Sequence, residues 1–169
     1  MKRSQRGRDR GQSLVEFALL LPLLLLILFG VIDFGRAIFT YSTLAEGARQ
    51  GDRLAVVDQT EANVKDATLQ SMPAVTLDAD PNGFRLCFKA ETATTETQLS
   101  CTNTASSTLC NGGTDPKLIG CLAVVETTST FQPITPGISS VVGPIVLTSR
   151  SVNPIEFVCP TTANPSPCP

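Results

Sequence analysis

Histidine is missing altogether from the 169 residues. That removes the base on which serine and cysteine triads ordinarily depend, and the carboxylates that remain are scattered without a catalytic spacing. No C-x-x-C pair occurs, so the spacing on which structural zinc sites rely is absent as well. No glycine-rich phosphate loop follows a strand-like run. The abundant serines and threonines sit in loop-like stretches, where they read as solvated turn residues. These gaps predict a chain that is not an enzyme and that uses neither a cofactor nor a metal. Two further absences are positional: no residue from Phe17 to Ile32 carries a charge, and no cysteine precedes Cys87.

The uncharged run is framed at its start. Lys2, Arg3, Arg6, Arg8 and Arg10 against Asp9 give the flank a net charge of +4 (5 minus 1), and Gly11-Gln12-Ser13-Leu14-Val15-Glu16-Phe17 follows it. From Leu14 to Phe34 there are about 20 residues, enough at about 1.5 Å each to span the ~30 Å hydrocarbon core of a bilayer. The basic flank is retained in the cytoplasm by the positive-inside rule, so the C-terminal bulk is expected outside. A removable signal peptide needs a shorter apolar core and a small-residue cleavage site. Here the run is longer and ends in Asp33-Phe34-Gly35-Arg36-Ala37, no cysteine follows it closely enough for lipid attachment, and no paired arginines precede it. A retained signal-anchor helix is the expectation, in the cytoplasmic (inner) membrane and single-pass. An acid near the start of such a helix is unfavourable and commonly marks function, although Glu16, at the edge, can also simply snorkel to the headgroups.

Arg10-Gly11-Gln12-Ser13-Leu14-Val15-Glu16-Phe17-Ala18-Leu19, running on to Pro22 and then to Ile32-Asp33-Phe34-Gly35-Arg36, is similar to the TadE-like proteins of tight-adherence pilus systems. Gly11, the fifth-position Glu16 and the aromatic Phe17 resemble the processing site of type IV prepilin-like proteins. The resemblance covers roughly residues 8 to 57, and a looser likeness rests on Phe131-Gln132-Pro133-Ile134-Thr135-Pro136-Gly137 and the short apolar strand after it. The front motif is specific because glycine, glutamate and aromatic coincide with a basic flank and a spanning helix. It implies a minor pilin or pseudopilin, cut after Gly11 by a prepilin-type membrane peptidase so that Gln12 becomes the new N-terminus. The ammonium freed at Gln12 would then pair with Glu16 of a neighbouring helix, since an unpaired charge in a low dielectric is costly. The implied partners are the membrane, the peptidase and pilus or secretion-system subunits.

The remainder divides by texture. Tyr41, Leu44, Ala48, Gly51 and Ala55 recur three or four apart, with Arg36, Glu46, Arg49, Gln50, Asp52 and Arg53 between them, which predicts that the helix continues amphipathically to about Val57. Pro22 inside it invites a kink. Gly47 and Gly51 form a G-x-x-x-G spacing, and the stripe is expected to pack against the chain's own outer part. A second helix is predicted over Glu61 to Met72, capped by Thr60 and stopped before Pro73. Asp80-Pro81-Asn82-Gly83 predicts a hairpin turn between strands Ala74–Leu77 and Phe84–Ala90, with further strands at Leu118–Thr127 and Ile145–Ser151. Residues 91 to 116 read as a long loop and 153 to 169 as a proline-rich tail. The fold class is therefore α+β: a long N-terminal transmembrane and amphipathic helix, then a small, mostly antiparallel β domain with disulfides. The boundaries are a basic leader over 1–11, a helical segment over 12–57 and an extracytoplasmic domain over 58–169.

Cys87, Cys101, Cys110, Cys121, Cys159 and Cys168 all fall in the part placed outside. An even count in a small extracytoplasmic domain predicts disulfides, while sequence alone leaves many pairings open. The pairings expected are Cys101 with Cys110, Cys159 with Cys168, and Cys87 with Cys121. Asp78-Ala79-Asp80-Pro81-Asn82-Gly83 matches the first half of a calcium loop, but Lys89 stands where the bidentate glutamate is required, and a hairpin turn accounts for the same residues. The net charge of −2 overall, less +4 in the leader, leaves −6 after Gly11, which argues against nucleic acid as a partner. Two functions remain. One is a membrane-anchored minor pilin or assembly component, serving adhesion or secretion. The other is an unprocessed single-pass surface protein whose disulfide-bonded domain binds a partner as a receptor or adhesin.

Overall fold

Helix α1 runs from Asp9 to Ala55, 47 residues with Pro22 inside it. The computed structural model describes residues 9–79, 81–102, 109–110, 119–135 and 138–156. Within α1 an apolar stretch long enough to cross a membrane has no buried residue among those described. That exposure has a physical meaning, because a helix satisfies all its backbone groups internally and is one of the two backbone forms that can face lipid. After α1 come α2 (Glu61–Gln70), β1 (Phe84–Lys89), α3 (Glu96–Leu99), β2 (Leu122–Phe131), α4 (Ile138–Val142) and β3 (Ile145–Pro154). They form two compact units: Met1–Ile38 with Gln132–Pro144, and Phe39–Phe131 with Ile145–Pro169.

In the second unit an antiparallel sheet of order β1-β2-β3 has its most buried strand in the middle. Phe84 pairs with Thr127 and Lys89 with Leu122 on one side of β2, while Leu122 pairs with Pro154 and Phe131 with Ile145 on the other. Ala48 and Ala55 of α1, Val64 of α2, Phe84, Ala123, Val125, Cys110, Cys121 and Ile155 make the core. The predicted α1 stripe is buried at Leu44, Ala48, Gly51 and Ala55, whereas Tyr41 is exposed. Gly47 and Gly51 serve close approach within the chain. A Cβ at Gly47 would overlap the Met72 thioether, and one at Gly51 would overlap the Thr68 hydroxyl and lie 3.4 Å from Val125.

Several local expectations need correction. Ala74–Leu77 is not a strand. β2 outruns β1 by four residues, and the vacated edge is met by Asp78, whose N–H donates to Thr128 O (3.0 Å) and whose carboxylate accepts from Thr130 N (2.8 Å) and Oγ1 (2.9 Å). Side-chain bonds there do the work of a ladder. Thr60 occupies the N-cap of α2 without a capping bond; Asp58 instead accepts from Thr60 N (2.9 Å) and Asn63 Nδ2 (2.6 Å). The stretch read as a long loop contains α3, opened by a capping box in which Thr95 and Gln98 bond each other's backbone N–H. β2 begins and ends four residues later than expected, behind Gly120 with its left-handed φ of 88°.

The disulfides join Cys87 to Cys101 and Cys110 to Cys121, with Cα separations of 5.5 and 5.7 Å. Both differ from the expected Cys101–Cys110 and Cys87–Cys121. The ladder explains why: Cys87 stands opposite Val124, so Cys121 lies beyond its reach across the sheet. Cys159 and Cys168 lie outside the described residues.

Candidate functional site

The residues of the processing and assembly motif all lie on α1. Gly11 and Gln12 are in its first turns, where the leading backbone N–H groups have no intrahelical acceptor and opening the backbone is easiest. Gly11 is exposed, and a Cβ there would meet no atom within 4 Å outside the local helix backbone among the described residues. Gln12 and Glu16 are four apart and share one helix face. Glu16 and Phe17 are exposed, and the carboxylate of Glu16 has no ion-pair partner among the described residues. The motif thus presents one acid and one aromatic ring outward, ahead of an apolar surface that begins at Leu14 and Val15 and runs to Phe34.

A second carboxylate, Asp33 of the Ile32-Asp33-Phe34-Gly35-Arg36 stretch, ends that surface. Asp33 is 6 % exposed. It accepts hydrogen bonds from Ile134 N (3.2 Å), Thr135 N (2.9 Å), Thr135 Oγ1 (2.6 Å) and Arg36 Nη1 (3.3 Å). The argument that singled out Glu16, an acid beside a membrane-length apolar run, applied equally to Asp33. What no pattern in the sequence could supply was its set of donors a hundred residues away. Phe29, Ile32 and Asp33 with Ile134 and Thr135 border an open groove of about 480 Å³.

The juxtamembrane half of α1 carries a third acid in an unexpected place. Asp52, read as part of the polar face, is fully buried; its Oδ2 accepts from Ser151 Oγ (2.8 Å) and Asn153 Nδ2 (2.6 Å), and its Oδ1 has no hydrogen-bond partner among the described residues. Burial pushes its carboxyl up to about 6, against the pull of the bonds from Ser151 and Asn153. Close by in the same unit, Arg150 donates to Glu126 (Nε to Oε1, 2.8 Å) and to Glu96 Oε2 (Nη1, 2.6 Å), tying β2, β3 and α3 together. Burial lowers the Lys89 ammonium from its ordinary range, and Glu126 pulls it back up. Among the described residues no group of three or more Cys, Asp or Glu side chains is placed to hold a metal ion. Asp78, from the half calcium loop, is committed to Thr130.

The apolar helix near the N-terminus fits a single-pass membrane protein. No curated protein and no solved structure matches the chain. Residues 11–53 match the TadE family, described as TadE-like protein. That match and the exposed apolar helix together fit a pilus-associated membrane protein. The TadE-like character read from the sequence therefore holds for residues 11–53, the stretch that carries Gly11, Glu16, Asp33 and Asp52.

Proposed function

We propose that the protein is a minor pilin, pseudopilin or assembly component of a tight-adherence pilus or secretion system, processed after Gly11 by a prepilin-type peptidase. The observation that carries the reading is the TadE-like match over 11–53 on a helix that contains an apolar, membrane-length stretch left unburied among the described residues. The basic leader stays in the cytoplasm, the helix lies in the inner membrane, and the disulfide-bonded part is exported. The protein acts by association and not by catalysis, in keeping with its lack of histidine. Once Gln12 is N-terminal, its ammonium on one subunit and the exposed Glu16 of the next neutralise each other as the helices come together. In a low dielectric such a pair is favourable where either charge alone is not.

The mass of the mature chain from membranes, with its N-terminal sequence, tests processing: a chain beginning at Gln12 is expected, and one retaining Met1 to Gly11 overturns it. Glu16→Ala tests assembly separately. The variant should reach the membrane at wild-type level, because removing a carboxylate favours insertion by up to about 2.5 kcal/mol. It should be lost from the isolated filament or assembly complex. Wild-type incorporation of Glu16→Ala would leave the unprocessed surface receptor or adhesin as the better reading.

A further inference from the structure

We infer that Gln132–Pro144 is a second membrane contact, an interfacial segment seated in the outer leaflet and held there by Asp33. The inference rests on the reading of α1 as a spanning helix and adds to it a docking surface whose occupant is lipid.

Four observations converge on this segment, all within one compact unit. The first is its level on α1. Thr135 and Ile134 are bonded to Asp33, and a Cβ at Gly30 would lie 3.5 Å from Ile138 Cδ1, so the segment reaches the helix at Gly30. Gly30 is four residues inside the end of the apolar run at Phe34, a depth of about 6 Å at 1.5 Å per residue. Interfacial elements bury their apolar faces to about that depth.

The second is composition. No charged residue occurs from Thr127 to Ser149, in a chain whose charged residues make up 17 % of the whole. The third is exposure: Ile134 is 69 %, Val141 86 % and Val142 55 % exposed, side by side on an element only five residues long and the loop leading to it. In water such a set is unfavourable, whereas at a bilayer it is the contact surface.

The fourth is the fate of the backbone donors. A segment entering an apolar medium must satisfy its N–H groups internally. Among the described residues of the segment, Ile134 and Thr135 donate to the Asp33 carboxylate, and Ser139 N donates to Thr135 O (3.1 Å) and Gly143 N to Ser139 O (3.1 Å), the last with a left-handed φ of 71° that closes α4. Pro133, Pro136 and Pro144 have no N–H to satisfy. Asp33 is therefore a positioning residue: its charge is spent on two backbone donors and a hydroxyl that would otherwise face hydrocarbon. The groove beside it, lined by Phe29, Ile32 and Ile134, continues the lipid-facing surface of α1 and suits an acyl chain.

Since the chain has no tryptophan, a single introduced indole reports unambiguously on its surroundings. Full-length protein is reconstituted into phosphatidylcholine–phosphatidylglycerol vesicles with and without acyl-brominated lipid, as Val141→Trp, as Leu24→Trp in mid-helix, and as Glu61→Trp at the exposed start of α2. Val141→Trp should emit to the blue of Glu61→Trp and be quenched by brominated lipid, less deeply than Leu24→Trp. Adding Asp33→Ala to Val141→Trp should reduce that quenching about twofold or more, as charge-assisted bonds that hold the segment are lost. If Leu24→Trp is quenched while Val141→Trp emits like Glu61→Trp, the spanning reading stands and the interfacial segment is refuted. If Leu24→Trp is not quenched, the span fails and the inference falls with it. Blue-shifted emission from Val141→Trp that ignores brominated lipid and disappears when the protein is diluted in lipid would assign this face to a second copy of the chain and overturn the proposal.

Discussion

Asp52 makes the protein's stability depend on pH in a direction opposite to that of most carboxylates. Its folded-state value of about 6 lies above its ordinary 3.8, so the folded chain holds the proton more tightly than the unfolded one. The contribution is fully present below about pH 4, declines as pH rises towards 6, and is level above that; its size is about 2 kcal/mol once solvent screening is allowed for. The structural cause is burial of the carboxylate, whose Oδ1 has no hydrogen-bond partner among the described residues. Asp52→Asn should therefore remove the slope between about pH 4 and 7, read as the midpoint of denaturant unfolding across that range. A variant that keeps the wild-type slope would place its origin elsewhere. The sequence could show that Asp52 lies near the edge of the apolar stripe. It could not show that Ser151 and Asn153 come from β3 to receive it, because that depends on the register of a strand paired much later in the chain.

The helix stripe itself was legible, since Leu44, Ala48, Gly51 and Ala55 obey the helical period and all four are buried. Its glycines differ in what they tolerate. Adding a methyl at either position gains up to about 1 kcal/mol of helix propensity. At Gly47 the new Cβ meets Cγ, Sδ and Cε of the buried Met72, so that side chain must repack, with three rotatable bonds to do it. At Gly51 the new Cβ meets the Thr68 hydroxyl, fixed by its bond to Val64 O (2.7 Å), with Val125 of the central strand behind it. Overpacking there should cost about 1 to 3 kcal/mol and outweigh the propensity gain. Gly51→Ala is thus expected to lower the unfolding midpoint more than Gly47→Ala, with thermal melts of the two as the check. Equal melts would mean that α1 and α2 adjust as rigid bodies. The missed strand at Ala74–Leu77 shows where pattern reading stops: its composition suits a strand, yet β1 and β3 already flank β2, and only the overhang past Thr127 was left to meet.

For the molecule as a whole, covalent links compensate for a modest core. In the core cluster named above Ala48, Ala55 and Ala123 are alanines and Cys110 and Cys121 are half-cystines, side chains that each withdraw little apolar area from water. The two bonds close loops with separations of 14 and 11 residues, and closures of that size stabilise by about 2 to 4 kcal/mol each. They hold different things. Cys87–Cys101 fixes β1 to the stretch after α3, and Cys110–Cys121 anchors the entry to β2. Such bonds persist only in an oxidising environment, so the stability of this unit depends on the redox conditions around it. Peptide mapping of unreduced protein should recover Cys87 linked to Cys101 and Cys110 linked to Cys121. Reduction should lower the melting midpoint of the sheet-bearing unit by several degrees while the helical signal of the membrane-length segment persists, since α1 needs no cysteine to satisfy its backbone. Recovery of a Cys87–Cys121 peptide would contradict the register in which Cys87 faces Val124. A melt indifferent to reductant would show that the packed core holds the sheet-bearing unit together without the two bonds.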